Sequence, residues 1–226
     1  MIKKSIIAAF ALAAFAAPVC AQTGTMEETI EQNKIETKDF RGNWFVSVGA
    51  GAQMYVGDHD RQIGFGDRLS PALDVAVGKW ISPVLGARVE YSGLSLKGAT
   101  RWGAAHSTGE QVPGWGVGMN YSKFNYSNLH ADMLVNLHNW IKGYQSGRVW
   151  NSIAYVGLGW IHTGEAPKCN ALSGNAGWLN TFRLCSWLDA NVDLKAVVVD
   201  DSFDGEDGGA SLDGILSLSV GLTYKF

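Results

Sequence analysis

From Trp44 onward the chain alternates apolar and polar residues with a period of two. Trp44, Val46, Val48, Ala50, Ala52, Met54 and Val56 share one face, while Ser47, Gly49, Gly51 and Gln53 share the other. Successive side chains of an extended strand point to opposite faces, so such a run predicts a strand with one apolar surface. The pattern returns along the chain. Leu73, Val75 and Val77 oppose Asp74; Leu85, Ala87, Val89 and Tyr91 oppose Arg88 and Glu90; Leu129, Ala131, Met133, Val135 and Leu137 oppose His130, Asp132 and Asn136. Leu188, Ala190, Val192, Leu194 and Ala196 oppose Asp189, Asn191, Asp193 and Lys195, and Leu216 to Phe226 oppose Ser217, Ser219, Thr223 and Lys225. Residues 150–162 set Val156, Leu158 and Trp160 against Tyr155, Gly157 and Gly159. Residues 176–185 carry a weaker pattern, because Asn180 interrupts the apolar face. The total is eight strands, an even number that returns both ends of residues 44–226 to one side.

The connections predict how these strands meet. Residues 57–69, 97–125, 163–175 and 201–211 form long polar or Gly-rich loops after odd strands. Ile81-Ser82-Pro83 and Ser186-Trp187 form tight turns after even ones, and 139–149 is intermediate. Long loops at one end and short turns at the other is the arrangement of an outer-membrane barrel. The fold class is therefore all-β: an eight-stranded antiparallel transmembrane β-barrel.

The aromatics point the same way. Trp44, Trp80, Trp150, Trp187, Tyr224 and Phe226 all fall at the short-turn end, as a belt of interface anchors would. Tyr55, Tyr91, Tyr126 and Trp160 fall near the other strand ends and predict a second belt. The polar face carries Asp74, Arg88, Glu90, His130, Asp132, Asp189, Asp193, Lys195 and Lys225. In a small membrane barrel that face is the interior, where charges must pair. A first turn centred on Ile81 would set Asp74 against Arg88; a loop centred on Asp207 would set Asp189 against Lys225. Inward glycines of the first strand would leave room across the lumen. The interior reads as a salt-bridged plug.

The start of the chain assigns a compartment. Lys3 and Lys4 precede an apolar run from Ile6 to Val19, and Val19-Cys20-Ala21 places small residues before Gln22, as in a cleaved signal peptide over 1–21. Acylation of Cys20 is the rival, disfavoured by Val19 before the cysteine. Residues 22–43 are polar and read as a flexible periplasmic segment, in which Met26 to Lys38 could form a short helix. Cleavage removes two lysines and no acid, making a chain of formal charge −3 more negative and arguing against a nucleic-acid partner. A mean hydropathy of zero fits strands whose two faces cancel. Cys169 and Cys185 would lie near opposite ends of one strand, too far apart to bridge.

Gly57-Asp58-His59-Asp60, Ser70-Pro71-Ala72-Leu73, Gly78-Lys79-Trp80 with Pro83 and Gly86, Tyr91-Ser92-Gly93, Asn136-Leu137 with Gly143-Tyr144, Tyr155 to Gly159, and Asp213 to Phe226 together resemble the outer-membrane β-barrel family of Bacteroides-type Gram-negative bacteria. That family is similar to the N-terminal barrel of OmpA-type proteins. The resemblance covers most of residues 44–226. It implies insertion by the barrel-assembly machinery, with Tyr224 and Phe226 as the signal. It also implies outer-membrane lipid and lipopolysaccharide as surroundings and both chain ends on the periplasmic side. OmpA-type proteins often add a peptidoglycan-binding domain, absent from this sequence, so a cell-wall tether is not carried over.

Function then divides into classes. The leading expectation is a structural or surface-interaction barrel, its partners met through loops 57–69 and 97–125, the latter with Trp102 and Trp115. The alternatives are a narrow porin-like channel, a soluble lipocalin-like binding barrel suggested by Gly42-Asn43-Trp44, and a lipid-modifying enzyme. For the enzyme, His130 with Asp132, His59 between Asp58 and Asp60, and His106 beside Ser107 are the histidines to weigh. The expectation is no catalytic residue, no metal and no cofactor.

Overall fold

The alternating rows become eight long antiparallel strands and one short one. The computed structural model describes residues 42–57, 59–101, 106–114, 118–145, 147–165, 168–204 and 212–226. The signal peptide expected over 1–21, nearly all of the 22–43 segment, Asp58, Trp102, Trp115 and Asp207 lie outside the described residues. The strands are β1 (Trp44–Val56), β2 (Leu69–Trp80), β3 (Leu85–Thr100), β4 (Ser107–Gln111), β5 (Asn120–Asn136), β6 (Trp150–Thr163), β7 (Asn170–Arg183), β8 (Leu188–Asp200) and β9 (Leu212–Lys225). Among the described residues two short α-helices accompany them, α1 (Phe65–Arg68) and α2 (Leu137–Lys142), with 3-10 turns at Asp60–Gln62 and Asp201–Asp204.

Sequential strands pair as hairpins, and two further pairings close the ring. β1 pairs with β9, from Phe45↔Lys225 to Val56↔Gly214, and β3 pairs with β5, from Leu85↔Val135 to Thr100↔Asn120. Every barrel strand therefore has two neighbours, and no open edge is left to lipid, where an unpaired backbone amide costs several kcal/mol. β4 stands outside the ring, adding to β5 alone. β3 and β5, with 16 and 17 residues, exceed the roughly 9–11 that cross a bilayer. Their hairpin rises past the apolar band.

The register corrects three expectations. The turn between β2 and β3 pairs Gly78 with Arg88 and Asp74 with Ser92, which centres it on Pro83 and not Ile81, so Asp74 does not face Arg88. β7 runs from Asn170 to Arg183, starting earlier than the sixth strand expected over 176–185. Its interrupting residue keeps its place on the outer face, because the Trp150 indole N–H donates to Asn180 Oδ1 at 3.1 Å. The loop over 163–175 accordingly shrinks to residues 164–169, and the loop over 97–125 to 101–119 with β4 inside it. Cys169 precedes β7 and Cys185 follows it, so the two lie at opposite barrel ends.

Burial follows the alternation. Val75, Val77, Val89, Leu129, Met133, Val156, Leu158, Leu194, Leu216 and Leu218 are exposed on the outer face, while Asp74, Arg88, Glu90, His130, Asp132, Asp193 and Lys195 are buried inside. That is a soluble protein's arrangement inverted, and it is the one hydrocarbon demands.

Candidate functional site

The lumen is filled in layers. The inward row of β5, read from the tight-turn end, is Leu134, then Asp132 and His130, then Asn128, then Tyr126 and Phe124. Leu134 belongs to an apolar layer with Phe45, Ile153, Tyr155 and Leu179, against which Trp80 packs. Tyr126 and Phe124 belong to a second layer with Tyr55, Leu96, Ile161, Val197, Val199, Phe203 and Ile215. The charges are held between.

Arg88 is the centre of the charged layer. Its Nε donates to Asp132 Oδ2 at 2.8 Å, and its Nη1 lies 2.9 Å from Glu90 Oε2 and 3.4 Å from Asp193 Oδ2. The guanidinium also lies over the Tyr155 ring at 4.1 Å, and the Tyr155 hydroxyl donates to Asp193 Oδ1 at 2.8 Å. Lys195 Nζ donates to Asp74 Oδ1 at 2.7 Å and to Glu90 Oε1. His130 bridges Asp132 Oδ1, 2.8 Å from Nδ1, and Glu90 Oε1, 3.6 Å from Nε2. Two permanent cations thus face four carboxylates, with the imidazole between two of them. Buried charges are tolerated only when paired and hydrogen-bonded in this way.

Backbone space makes the layer possible. A Cβ at Gly157 would strike the Asp132 carboxylate, one at Gly159 would meet His130 Cβ at 2.6 Å, and one at Gly177 would strike the Tyr155 hydroxyl. Glycines that make room thus lie on β6 and β7, and on β2, where a Cβ at Gly78 would strike the Phe45 ring and meet Arg88 Cβ at 2.8 Å. The inward glycines of β1, where space had been expected, divide: Gly49 would meet only ordinary contacts, the nearest Ser219 Oγ at 3.5 Å, whereas a Cβ at Gly51 would strike the Leu218 carbonyl and meet Ser219 Cα at 2.6 Å.

Of the nine charged residues read from the sequence, seven meet in this layer. Asp189 and Lys225 form a separate pair, Nζ donating to Oδ1 at 2.7 Å, but diagonally, since the register sets Asp189 opposite Thr223 and not Lys225. They line a cavity of about 350 Å³ at the tight-turn end, floored by Phe45, Trp80, Leu134, Ile153 and Leu179. Glu90, His130 and Asp132 offer ligand atoms within 4.8 Å of one another, a spacing a metal ion could use. Arg88 and Lys195 already occupy those carboxylates, so the cluster fits an ion-paired core.

The aromatics divide. Trp150, Tyr224 and Phe226 are exposed. Tyr224 stacks edge-on with Phe226 at 4.9 Å and lies 5.6 Å from Trp187, while Lys79 sits over Trp44 at 5.3 Å. Trp80 departs from the belt: its ring turns to the lumen and lies 6.3 Å from Phe45, because it shares the parity of inward Asp74. Tyr55 and Tyr126 depart likewise. Both are buried, Tyr126 donating to Gln53 Oε1 at 2.6 Å and Tyr55 to Asp213. Tyr91 and Trp160 remain on the outer face.

Three interior features escaped the sequence reading. One is the role of Tyr155. Another is the amide chain in which Ser173 Oγ donates to Asn128 Oδ1 and Asn128 Nδ2 to Asn175 Oδ1, both at 2.8 Å. The third is the apolar layer at the loop end. Strand parity was the available signal for all three.

An apolar outer face, a charged and filled lumen, an aromatic rim and a ring closed without edges define a class. The chain is an eight-stranded outer-membrane β-barrel. No known family profile matches it. It is 25% identical over 230 residues to outer membrane protein 40 of Porphyromonas gingivalis, covering 95% of this chain and 56% of that protein. It is 27% identical over 164 residues to outer membrane protein 41 of the same organism, covering 68% and 37%. The chain therefore spans about half, or less, of the length of these curated relatives. Among solved structures, Neisserial surface protein A superposes with a TM-score of 0.51 at 12% identity, over 81% of this chain and 97% of that one, a likeness of fold.

Proposed function

We propose that this barrel is a closed, non-catalytic scaffold of the outer membrane that acts through its surface and does not conduct. The observation that carries the reading is the stacked stopper: an apolar layer, the Arg88 and Lys195 ion-pair layer, and a second apolar layer crossing the same lumen. Hydrated ions would have to strip water and break several buried pairs to pass. The histidines weighed for catalysis support the same reading. His130 is sealed between Glu90 and Asp132, away from either mouth. His106 stacks on Phe124 at 4.6 Å, and the Ser107 hydroxyl beside it accepts from Gly109 N–H at 3.1 Å.

The tight-turn end, with Phe226 N–H donating to Trp44 O at 2.9 Å, faces the periplasm in this proposal, and the long loops face outward into lipopolysaccharide. Tyr224 and Phe226 then serve as the strand that the assembly machinery reads. The loop regions 57–69 and 101–119 are the surface for a partner, since loops on a rigid frame carry recognition. The test is conductance in planar bilayers at neutral pH. The expected trace is flat, and regular unitary steps from the folded protein would overturn the closed reading.

A further inference from the structure

The connection between β5 and β6 is longer than the geometry of a hairpin requires. The other two turns at this end occupy only residues 81–84 and 184–187, whereas 137–149 builds a helix. The outward row of β5, ending Met133 and Val135, continues directly into Leu137 at the start of α2. Trp140 and Ile141 then stand 68% and 77% exposed, with none of the described residues packed over them. Such exposure is costly in water and ordinary in lipid.

The opposite face of the helix is pinned. Asn136 caps it, accepting from Asn139 N–H at 3.0 Å. Asn139 Nδ2 donates to Pro83 O at 2.6 Å, and Arg148 Nη1 donates to Asn139 Oδ1 at 2.6 Å. The helix is also tied to the lipid-facing wall. The His138 ring packs edge-on against outward Trp150 at 4.5 Å, and Ser152 N–H donates to His138 Nδ1 at 3.1 Å. Ile141 and Lys142 follow His138 by three and four residues, so they share its face. Burial against the wall, then the positive charges of Lys142 and Arg148, hold His138 below its ordinary range, marking a locally basic surface.

We infer that α2 is an interfacial foot: Trp140 and Ile141 enter the phospholipid leaflet at the tight-turn end, and Lys142 meets its headgroup phosphates. An amphipathic helix with Trp on one face and a cation at its edge binds at the headgroup boundary. The inference rests on the barrel spanning the membrane with its tight-turn end toward the periplasm, as proposed above, and is independent of whether it conducts.

The test uses tryptophan fluorescence of the full chain folded in vesicles of phosphatidylethanolamine and phosphatidylglycerol, with and without brominated acyl chains. Subtracting the Trp140→Phe spectrum from that of the unchanged protein isolates Trp140. The expected result is loss of most of this difference signal in brominated vesicles, with weak quenching by aqueous acrylamide. Strong acrylamide quenching with no effect of bromine would overturn the inference. As a second arm, Ile141→Glu should red-shift the difference signal taken in its background. An unchanged signal there would overturn it too, and heat-dependent gel migration verifies that each variant is folded.

Discussion

Arg88 touches three carboxylates and one aromatic face from a single position on β3, and the two kinds of contact draw on different properties of its guanidinium. The planar fork supplies several donors in fixed directions, and its weak hydration lets it stack on Tyr155. Lysine at this position could reproduce the charge without the geometry. Arg88→Met would leave Glu90, Asp132 and Asp193 with Lys195 as the one permanent cation of the layer, and removing one partner of a buried pair costs about 3–5 kcal/mol. The expected outcome is a lower urea midpoint for unfolding from vesicles, by an amount in that range. At this scale the sequence was legible in part. Charge on the polar face identified the members of the network, because hydrocarbon outside forces charge inside. Their pairing was not legible, since a shift of the turn from Ile81 to Pro83 moves Asp74 from Arg88 toward Lys195. Tyr55, Tyr126 and Trp80 were read from depth alone, where their parity with Gln53, His130 and Asp74 assigns them to the lumen.

Among the elements, β6 and β7 show what an inward row requires when the space across from it is taken. Gly157, Gly159 and Gly177 give up side chains so that Asp132, His130 and Tyr155 can keep theirs. Gly157→Ala should destabilise the barrel by about 1–3 kcal/mol, the usual penalty of overpacking a filled interior. Gly49→Ala, at ordinary contact distance on β1, should be neutral or slightly stabilising by restricting the unfolded chain. Paired unfolding curves of the two variants check this, and equal destabilisation would contradict it. Strand existence was legible because the period of two persists for six or more residues in most strands. β7 was misjudged because Asn180 sits on the lipid face, where only its bond from Trp150 makes it tolerable. β4 and α2 carry no long period, so neither could be seen in advance.

At the scale of the molecule, the ends of the ring differ. Two of its three turns at one end are four residues long, while the β3–β5 hairpin and β4 extend the other end well beyond the apolar band. A peptide tag inserted after Pro113, at an exposed turn, should be labelled by antibody on intact cells. A tag in the turn at Ile81 should be labelled only after the outer membrane is permeabilised. The reverse pattern would invert the proposed orientation.

The central ion-pair layer also imposes an order of events. Its members come from β2, β3, β5 and β8, far apart along the chain. Arg88 has Glu90 on its own strand and Asp132 on the next in the ring, so part of the charge is neutralised within one hairpin. Asp74 must wait for Lys195, more than a hundred residues later. A half-assembled sheet would therefore carry an unmatched carboxylate into hydrocarbon, where a charge costs several kcal/mol. The pairing of Asp74 with Lys195 thus predicts that insertion and closure are coupled, with the strands crossing the membrane as one cooperative unit once β8 arrives.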